Sequence, residues 1–306
     1  MNSAVVGLIG AGEAGRAFGG GLVAEAGVGV LAYDAAFDAD VDAAAGGRAR
    51  DAARAAGLEP VTGPAEIARG TDVVFSFVTA ASAEAVARSL APHLTSRHVV
   101  ADANSASPAL MERIAGIVEA TGAAFADVAV MAAVPPHRHR VPLLASGAGA
   151  DPLMSWGAGL GLDIARIDGP AGAASSVKML RSLLVKGVEA LVLQTGLAAA
   201  KYGVLDRVLD SMGDLPFHDW RVLADYLIGR TAVHGERRGH ELLEVAATLR
   251  ALDVDAGLAE AGARALLAAG REERLRAAAT TDPAPDRHTM LAALTAPRSP
   301  HDLTKE

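Results

Sequence analysis

The sequence contains no cysteine. That absence excludes a disulfide framework, a thiolate metal site and a cysteine nucleophile together. Basic residues are in deficit, with 28 Lys and Arg against 36 Asp and Glu and a net charge of −8, so the electropositive surface that nucleic acid demands is not expected. Long hydrophobic runs are missing too. No stretch approaches the roughly 18 uninterrupted apolar residues of a membrane span. Met1 to Gly10 carries no basic segment ahead of its apolar run, unlike a secretory leader. The expectation is a cytoplasmic protein with neither nucleic acid nor membrane as a partner.

Aromatic residues are scarce at 4%, although hydrophobic residues make up 51% of the chain. The apolar mass therefore sits in small side chains. Gly numbers 33 and Ala is roughly a fifth of all residues, a composition suited to closely packed helices. A chain of 306 residues is long enough for two domains, and 21% charged residues with this much apolar content lies far from the composition of disorder.

From Ser3 to about Asp168, short β-branched or apolar runs alternate with Ala-rich stretches of 3.6 periodicity, the pattern of repeated βα units. Strands are predicted at Ala4–Ile9, Gly29–Tyr33, Asp72–Val78, His98–Ala101, Ala124–Asp127, Leu143–Ser146 and Asp163–Ile167. They imply an α/β domain over residues 1–168, a Rossmann-type doubly wound parallel sheet. After Gly169-Pro170 no strand is expected. Residues 169–306 read as an all-α domain entered through one long interdomain helix, Ala173–Lys201. Further helices are predicted at Leu205–Met212, Pro216–Ile228, Glu236–Leu252 and Gly257–Ala279, with breaks at Leu215-Pro216 and Asp282–Pro285 and a loose tail from about Arg298.

Gly10-Ala11-Gly12-Glu13-Ala14-Gly15 places G-x-G-x-x-G between the first strand and the first helix. Gly10 permits the tight turn, Gly12 lets the backbone approach a pyrophosphate, and Gly15 lets the helix lie close on the strand. The free N–H groups and the positive end of the helix attract the phosphates. Asp34 ends the second strand roughly 20 residues further on, where a carboxylate accepts hydrogen bonds from the adenosine ribose diol. That favours NAD over NADP, because a carboxylate repels a 2′-phosphate and Ala35-Ala36-Phe37-Asp38 offer no Arg to hold one. NADP stays open if Arg48 or Arg50 folds back over the site. Val78 and Thr79, at the carboxyl end of a later strand, should pass under the cofactor, with Ser82 capping the next helix.

Asp102-Ala103-Asn104-Ser105-Ala106-Ser107-Pro108 follows another strand and leads into a helix. Ser107 suits the N-cap, while Asn104 and Ser105 offer donors for a substrate carboxylate or the nicotinamide amide. Two turns into the long helix stands Lys178. Ser182 and Glu189 fall within roughly 40° of it around the helix, with Arg181 and Lys186 flanking that line. A Lys in an interdomain cleft can give a proton to a carbonyl oxygen whose carbon receives hydride, and desolvation lowers its pKa toward the working range.

With these residues in view, the chain resembles the β-hydroxyacid dehydrogenase superfamily, which includes 6-phosphogluconate and 3-hydroxyisobutyrate dehydrogenases. The likeness rests on the glycine motif, the Asp102–Pro108 segment, Asp127-Val-Ala-Val-Met131 and the helix bearing Lys178. The closest branch carries a helical C-terminal domain of unknown function, which Lys178–Gly187 and His234–Glu244 resemble. The resemblance implies that Lys178 is the catalytic acid/base, that Ser105 lies beside substrate or nicotinamide, and that a homodimer forms through the helical domains. The many small-residue helix faces also favour an oligomer. Two departures stand out. The family's D-A-P-V-S-G-G segment is Asp127-Val-Ala-Val-Met131-Ala132-Ala133 here, which leaves Met131 and Ala132 as the substrate-facing residues, and the Asn usually four residues after the Lys is Ser182.

The loop Val134–Pro142 is basic. His137, Arg138, His139 and Arg140 either clamp a small anionic substrate or form a proline-stiffened exposed loop, and no carboxylate at ligand spacing favours a metal there. His234, Arg237 and Arg238 read mainly as surface residues. The combined expectation is an NAD(P)-dependent dehydrogenase of a small hydroxy acid or oxo acid, with Lys178 and Ser182 at the reaction centre. An imine reductase and a non-catalytic dinucleotide-binding protein are the rivals. Lys178 counts against the first, and Met131-Ala132-Ala133 speaks for the second.

Overall fold

The structure, a computed structural model, describes residues 5–38, 43–201, 203–212, 219–251, 256–280 and 286–295. The chain forms two compact units, Met1–Met179 and Leu180–Glu306. In the first unit the elements run β1 (Val5–Ile9), α1 (Glu13–Ala26), β2 (Gly29–Tyr33), α2 (Ala43–Ala55), β3 (Glu59–Pro60), α3 (Pro64–Gly70), β4 (Val73–Ser76) and α4 (Ala80–Leu90). They continue as β5 (Val99–Asp102), α5 (Pro108–Glu119), β6 (Ala124–Val130), α6 (Val134–His137), β7 (Leu143–Ser146), α7 (Ala150–Gly157) and β8 (Ile164–Arg166). The helix α8 (Ala173–Lys201) begins in this unit and continues in the second, where α9 (Leu205–Asp210), α10 (Trp220–Ala251), α11 (Gly257–Arg271), α12 (Glu273–Ala279) and α13 (Arg287–Thr295) follow.

The eight strands form one sheet in the order β3-β2-β1-β4-β5-β6-β7-β8. All four residues of β4 and all but the first of β1 are buried, as expected for parallel strands covered on both faces. Each face has its own core. One gathers Phe18, Leu22, Phe37, Phe75 and Leu153, and the other Ile67, Met111, Ile114 and Phe125. The few aromatics are concentrated in the first core, where the Phe18 ring lies 4.8 Å from Phe75 and 5.0 Å from Phe77. Chain order reverses between β1 and β4, so the crevice at the carboxyl ends of these two strands is the ligand-binding position of an open α/β sheet.

Three features of the sheet differ from the sequence expectation. The strand β7 pairs antiparallel with β6, because Met131 to Pro142 holds only short helical turns and folds straight back, with Met131 N donating to Pro142 O at 2.9 Å. The strand β3 was not expected. It is two residues long and lies at the sheet edge, where its proline is tolerated. The strand β6 runs on to Val130, three residues beyond the predicted end.

In the second unit α10 is one helix of 32 residues where two were expected. The helix runs on through Gly229 and Gly235, since glycine costs a helix only about 1 kcal/mol. Gly235 lets α11 approach, for a Cβ there would lie 2.8 Å from Leu266 O and Gly270 Cα. Conversely the expected helix Gly257–Ala279 is divided into α11 and α12 at Glu272, whose backbone is extended. The helix α13 was not expected. Leu205, Leu209, Ile228, Leu275, Met290 and Leu291 form the core of this unit. The expectations for Ala4, 213–218, 252–255, 281–285 and the tail from Arg298 lie outside the described residues.

Candidate functional site

The glycine turn stands at the switch point with each glycine in a distinct role. Gly10 has φ +96° and donates from its N–H to Tyr33 O at 2.8 Å, and a Cβ there would lie 2.3 Å from Phe77 O. A Cβ on Gly15 would lie 1.9 Å from Gly10 O, so only glycine lets α1 sit this close to the strand. Around Gly12, by contrast, a Cβ would meet nothing within 4 Å. This open space fronts the start of the 14-residue α1, where Glu13 and Ala14 form the first turn. Backbone N–H groups facing open space at a helix start fit a diphosphate.

Asp34 closes the other side of the turn. Its Oδ2 accepts from Ala11 N at 2.7 Å and its Oδ1 from Ala36 N at 2.8 Å, which fixes the carboxylate at the end of β2. Arg50 does not reach over it. Its guanidinium lies 5.2 Å from the centre of the Phe37 ring and its Nε donates to Phe37 O at 3.4 Å. Beside Asp34, the Tyr33 hydroxyl donates to Asp38 Oδ2 at 2.6 Å, and this bond, with burial, pushes the phenol up to about 12.

Asn104 ties the ends of β4 and β5 together. Its Oδ1 accepts from Val78 N at 2.6 Å, its Nδ2 donates to Ser76 Oγ at 3.0 Å, and its own N–H donates to Asp102 Oδ1 at 2.9 Å. The carboxamide is buried in this link. Ser105 follows it, half-buried, and Ser107 caps α5 by accepting from Leu110 N. Thr79 is exposed and occupies the N-cap position of α4 that had been expected of Ser82, to whose hydroxyl it bonds at 3.0 Å. Met131 and Ala132 follow β6, the first half-buried and the second exposed.

Next to this edge two buried carboxylates face each other in register, Asp102 on β5 and Asp127 on β6. Asp127 holds the start of α8. Its Oδ2 accepts from Gly172 N at 2.9 Å, Ser175 N at 3.0 Å and Ser146 Oγ at 3.2 Å, and its Oδ1 accepts from Ser175 Oγ at 2.6 Å. Ser146 Oγ in turn accepts from Ala174 N at 3.0 Å. Lys178, half-buried, stands one turn further along. Burial pushes the Asp102 carboxyl up to about 7, and the Asp127 charge adds to the rise. Hydrogen bonds from Asn104 and the Lys178 ammonium oppose it, so the Lys178 charge is felt at Asp102. Sequence reasoning placed Lys178 without its anchor. The available signal was a lone aspartate inside an otherwise apolar strand.

The basic loop is packed onto α1. Arg138 Nη1 donates to Glu25 Oε1 at 3.0 Å and its Nη2 to Gly20 O at 3.1 Å, while Arg140 pairs with Glu25 Oε2 at 3.2 Å. His139, read as exposed, is buried between them, and burial pulls its pKa down. In the second unit Ser182 is half-buried on α8. The stripe beyond it is not a solvated face. Lys186 pairs with Glu241 at 2.9 Å, and Glu189 pairs with Arg238 and accepts from Thr231 Oγ1 at 3.1 Å. Arg238, expected at the surface, is therefore buried, whereas Arg237 and His234 are exposed.

Residues 5–150 match the NAD binding domain of 6-phosphogluconate dehydrogenase, and residues 199–268 match a domain of unknown function, DUF1932. A conserved hypothetical protein from Sinorhizobium meliloti 1021 is similar along almost the whole chain, with 35% identity over 95% of this chain and 96% of that one and a TM-score of 0.74. The chain belongs to the β-hydroxyacid dehydrogenase superfamily. A conserved protein of unknown function, described as structurally similar to 3-hydroxyacid dehydrogenases, is 28% identical over 86% of this chain and 95% of that one, with a TM-score of 0.70. The 3-hydroxyisobutyrate dehydrogenase of Mycobacterium tuberculosis shares the fold at 17% identity, covering 96% of this chain and all of that one (100%) with a TM-score of 0.71. As a β-hydroxyacid dehydrogenase relative, the chain carries a nicotinamide-dinucleotide-binding domain of the dehydrogenase type, and the glycine turn described above lies within the matched residues. Among the described residues no helix is long and apolar enough to cross a membrane.

Proposed function

We propose that this protein is an NAD-dependent oxidoreductase that interconverts a small hydroxy acid and the matching oxo acid, with Lys178 as general acid/base. The observation that carries the reading is the position of Lys178. Asp127, within the interior strand β6, fixes the start of its helix, and the Lys178 ammonium acts on the buried Asp102, which accepts from the N–H of Asn104, the residue that ties β4 to β5. Gly10, Ala11, Gly12, Glu13, Ala14 and Gly15 hold the diphosphate, and Val78 and Thr79 border the cofactor. Asp34 receives the ribose diol and disfavours a 2′-phosphate by charge. A nicotinamide dinucleotide bound there supplies or accepts the hydride.

The remaining chemistry belongs to the chain. Lys178 Nζ gives a proton to the carbonyl oxygen as its carbon gains hydride, and takes it from the hydroxyl in the opposite direction. Ser105 and Ser182 orient the substrate with their hydroxyls, and Asn104 keeps the Ser105 loop in place. Met131 and Ala132 present apolar surface where the better-known relatives have polar donors, which points to a substrate with a different side chain. The second unit exposes Leu180, Leu184, Val222, Tyr226 and Val233, apolar surface that supports a homodimer through the helices.

The same Met131-Ala132-Ala133 segment favours one alternative, a dinucleotide-binding protein without catalysis. Lys178→Ala separates the two readings. On the enzymatic reading it lowers turnover of the responsive oxo acid by orders of magnitude and leaves NADH binding unchanged. Near-normal turnover in the variant rejects Lys178, and a chain that binds NADH but oxidises it with no oxo acid or imine supports the alternative.

A further inference from the structure

We infer that Arg16 binds a phosphate of the dinucleotide, a role for this side chain that rests on the reading of the glycine turn as a nicotinamide dinucleotide site. Arg16 follows Gly15 directly, and its Nη1 donates to Ala11 O at 2.6 Å. The guanidinium is thereby drawn back over the start of its own helix, onto the residue between the first two glycines. It is half-buried there. Among the described residues it pairs with no carboxylate, although Glu13 stands three positions before it on the same helix.

Several other arginines of this unit are matched to acids, whereas Arg50 lies on the Phe37 ring and Arg69 donates to Ala65 O. Arg138 and Arg140, packed on the same helix, share Glu25, while Arg88 has Glu84 and Arg97 has Asp72. In a chain of net charge −8, an unmatched and partly desolvated guanidinium is where an anion gains most. The Ala11 peptide separates the two charges at the turn, with its N–H on Asp34 and its carbonyl on Arg16. A carboxylate for the ribose diol and a guanidinium for phosphate then stand on opposite sides of one peptide group. Arg has five N–H donors in a planar fork, and only one is engaged with Ala11, so a bidentate grip on phosphate oxygens is available. The diphosphate and a 2′-phosphate share this chemistry. The nearby Asp34 carboxylate favours the diphosphate.

Equilibrium titration of the full chain with NADH and with NADPH, at low and high salt, tests this with Arg16→Met and Arg16→Lys. Loss of one charge-assisted contact is expected to weaken binding by about tenfold or more in Arg16→Met, with a smaller loss in Arg16→Lys and a shallower salt dependence. Equal loss for both nucleotides assigns the diphosphate, and loss confined to NADPH assigns the 2′-phosphate. Unchanged affinity in Arg16→Met at both salts overturns the role of Arg16 alone. Failure of the unsubstituted chain to bind either nucleotide overturns the site itself. If Arg16→Met does not fold, as judged by circular dichroism, Arg16→Lys decides: weaker binding by several fold supports the role, and unchanged binding overturns it.

Discussion

Asp127 grips Ser175 twice, through the hydroxyl at 2.6 Å and through the backbone N–H at 3.0 Å. The same carboxylate takes Gly172 N at 2.9 Å, so the middle of β6 is bonded to the start of the helix that carries Lys178. This connection is buried, and each donor orphaned in such a place costs about 1–3 kcal/mol. Asp127→Ala orphans four donors at once, the Ser146 hydroxyl among them. It is expected to lower the unfolding free energy of the chain by at least about 3 kcal/mol in urea titration. Asp127→Asn, which keeps one acceptor oxygen, should lose less. A loss below about 1 kcal/mol in Asp127→Ala means the start of α8 is held by its packing and not by this carboxylate.

The neighbouring Asp102 makes stability depend on pH with an unusual sign for a carboxyl group. Burial raises its folded pKa to about 7, well above the ordinary value of 3.8. Between those two values the folded state holds a proton that the unfolded state has released, so this group's contribution declines as pH rises through the window. The slope reaches at most about 1.4 kcal/mol per pH unit. Asp102→Asn removes the titration while keeping the shape. Its stability relative to the unsubstituted chain is therefore expected to improve from pH 4 to pH 7 and to level off above. A flat difference across that range rejects the raised pKa.

Much of the first unit was legible because its signals are local. Gly10, Gly12 and Gly15 lie in one turn, with Gly10 and Gly15 at positions that admit only glycine, and Asp34 stands where the second strand ends. The placement of Lys178 near the start of one long helix was legible for the same reason. The role of Asp127 was not, since its partners Ser146, Gly172 and Ser175 are distant in sequence and only the fold brings them to it. The loop 137–140 stays largely exposed, as one of its two readings held, but the burial of His139 and the pairing of Arg138 and Arg140 with Glu25 were not legible, because Glu25 sits on α1 more than a hundred residues earlier. In the helical unit the expected helices stop at Ile228 and resume at Glu236, leaving Gly229 and Gly235 between them. At Gly235 tertiary contact decides, and contact leaves no mark in local periodicity.

That competition between propensity and contact gives a test in which one substitution has opposite signs at two sites. Gly116 is exposed within α5, and a Cβ there meets nothing within 4 Å. Gly116→Ala should therefore express only the helix preference of Ala and stabilise the chain by about 0.5–1 kcal/mol. Gly270 lies near the end of α11, and a Cβ there would come within 2.3 Å of Glu236 N and 2.8 Å of the Gly235 carbonyl carbon. Backbone atoms on both sides cannot yield without separating α10 from α11. Gly270→Ala is expected to destabilise by about 1–3 kcal/mol of overpacking, more than the propensity gain returns. Thermal melting of the two variants beside the unsubstituted chain reads the difference directly, and a stabilised Gly270→Ala would show that the helices do not meet at this glycine pair.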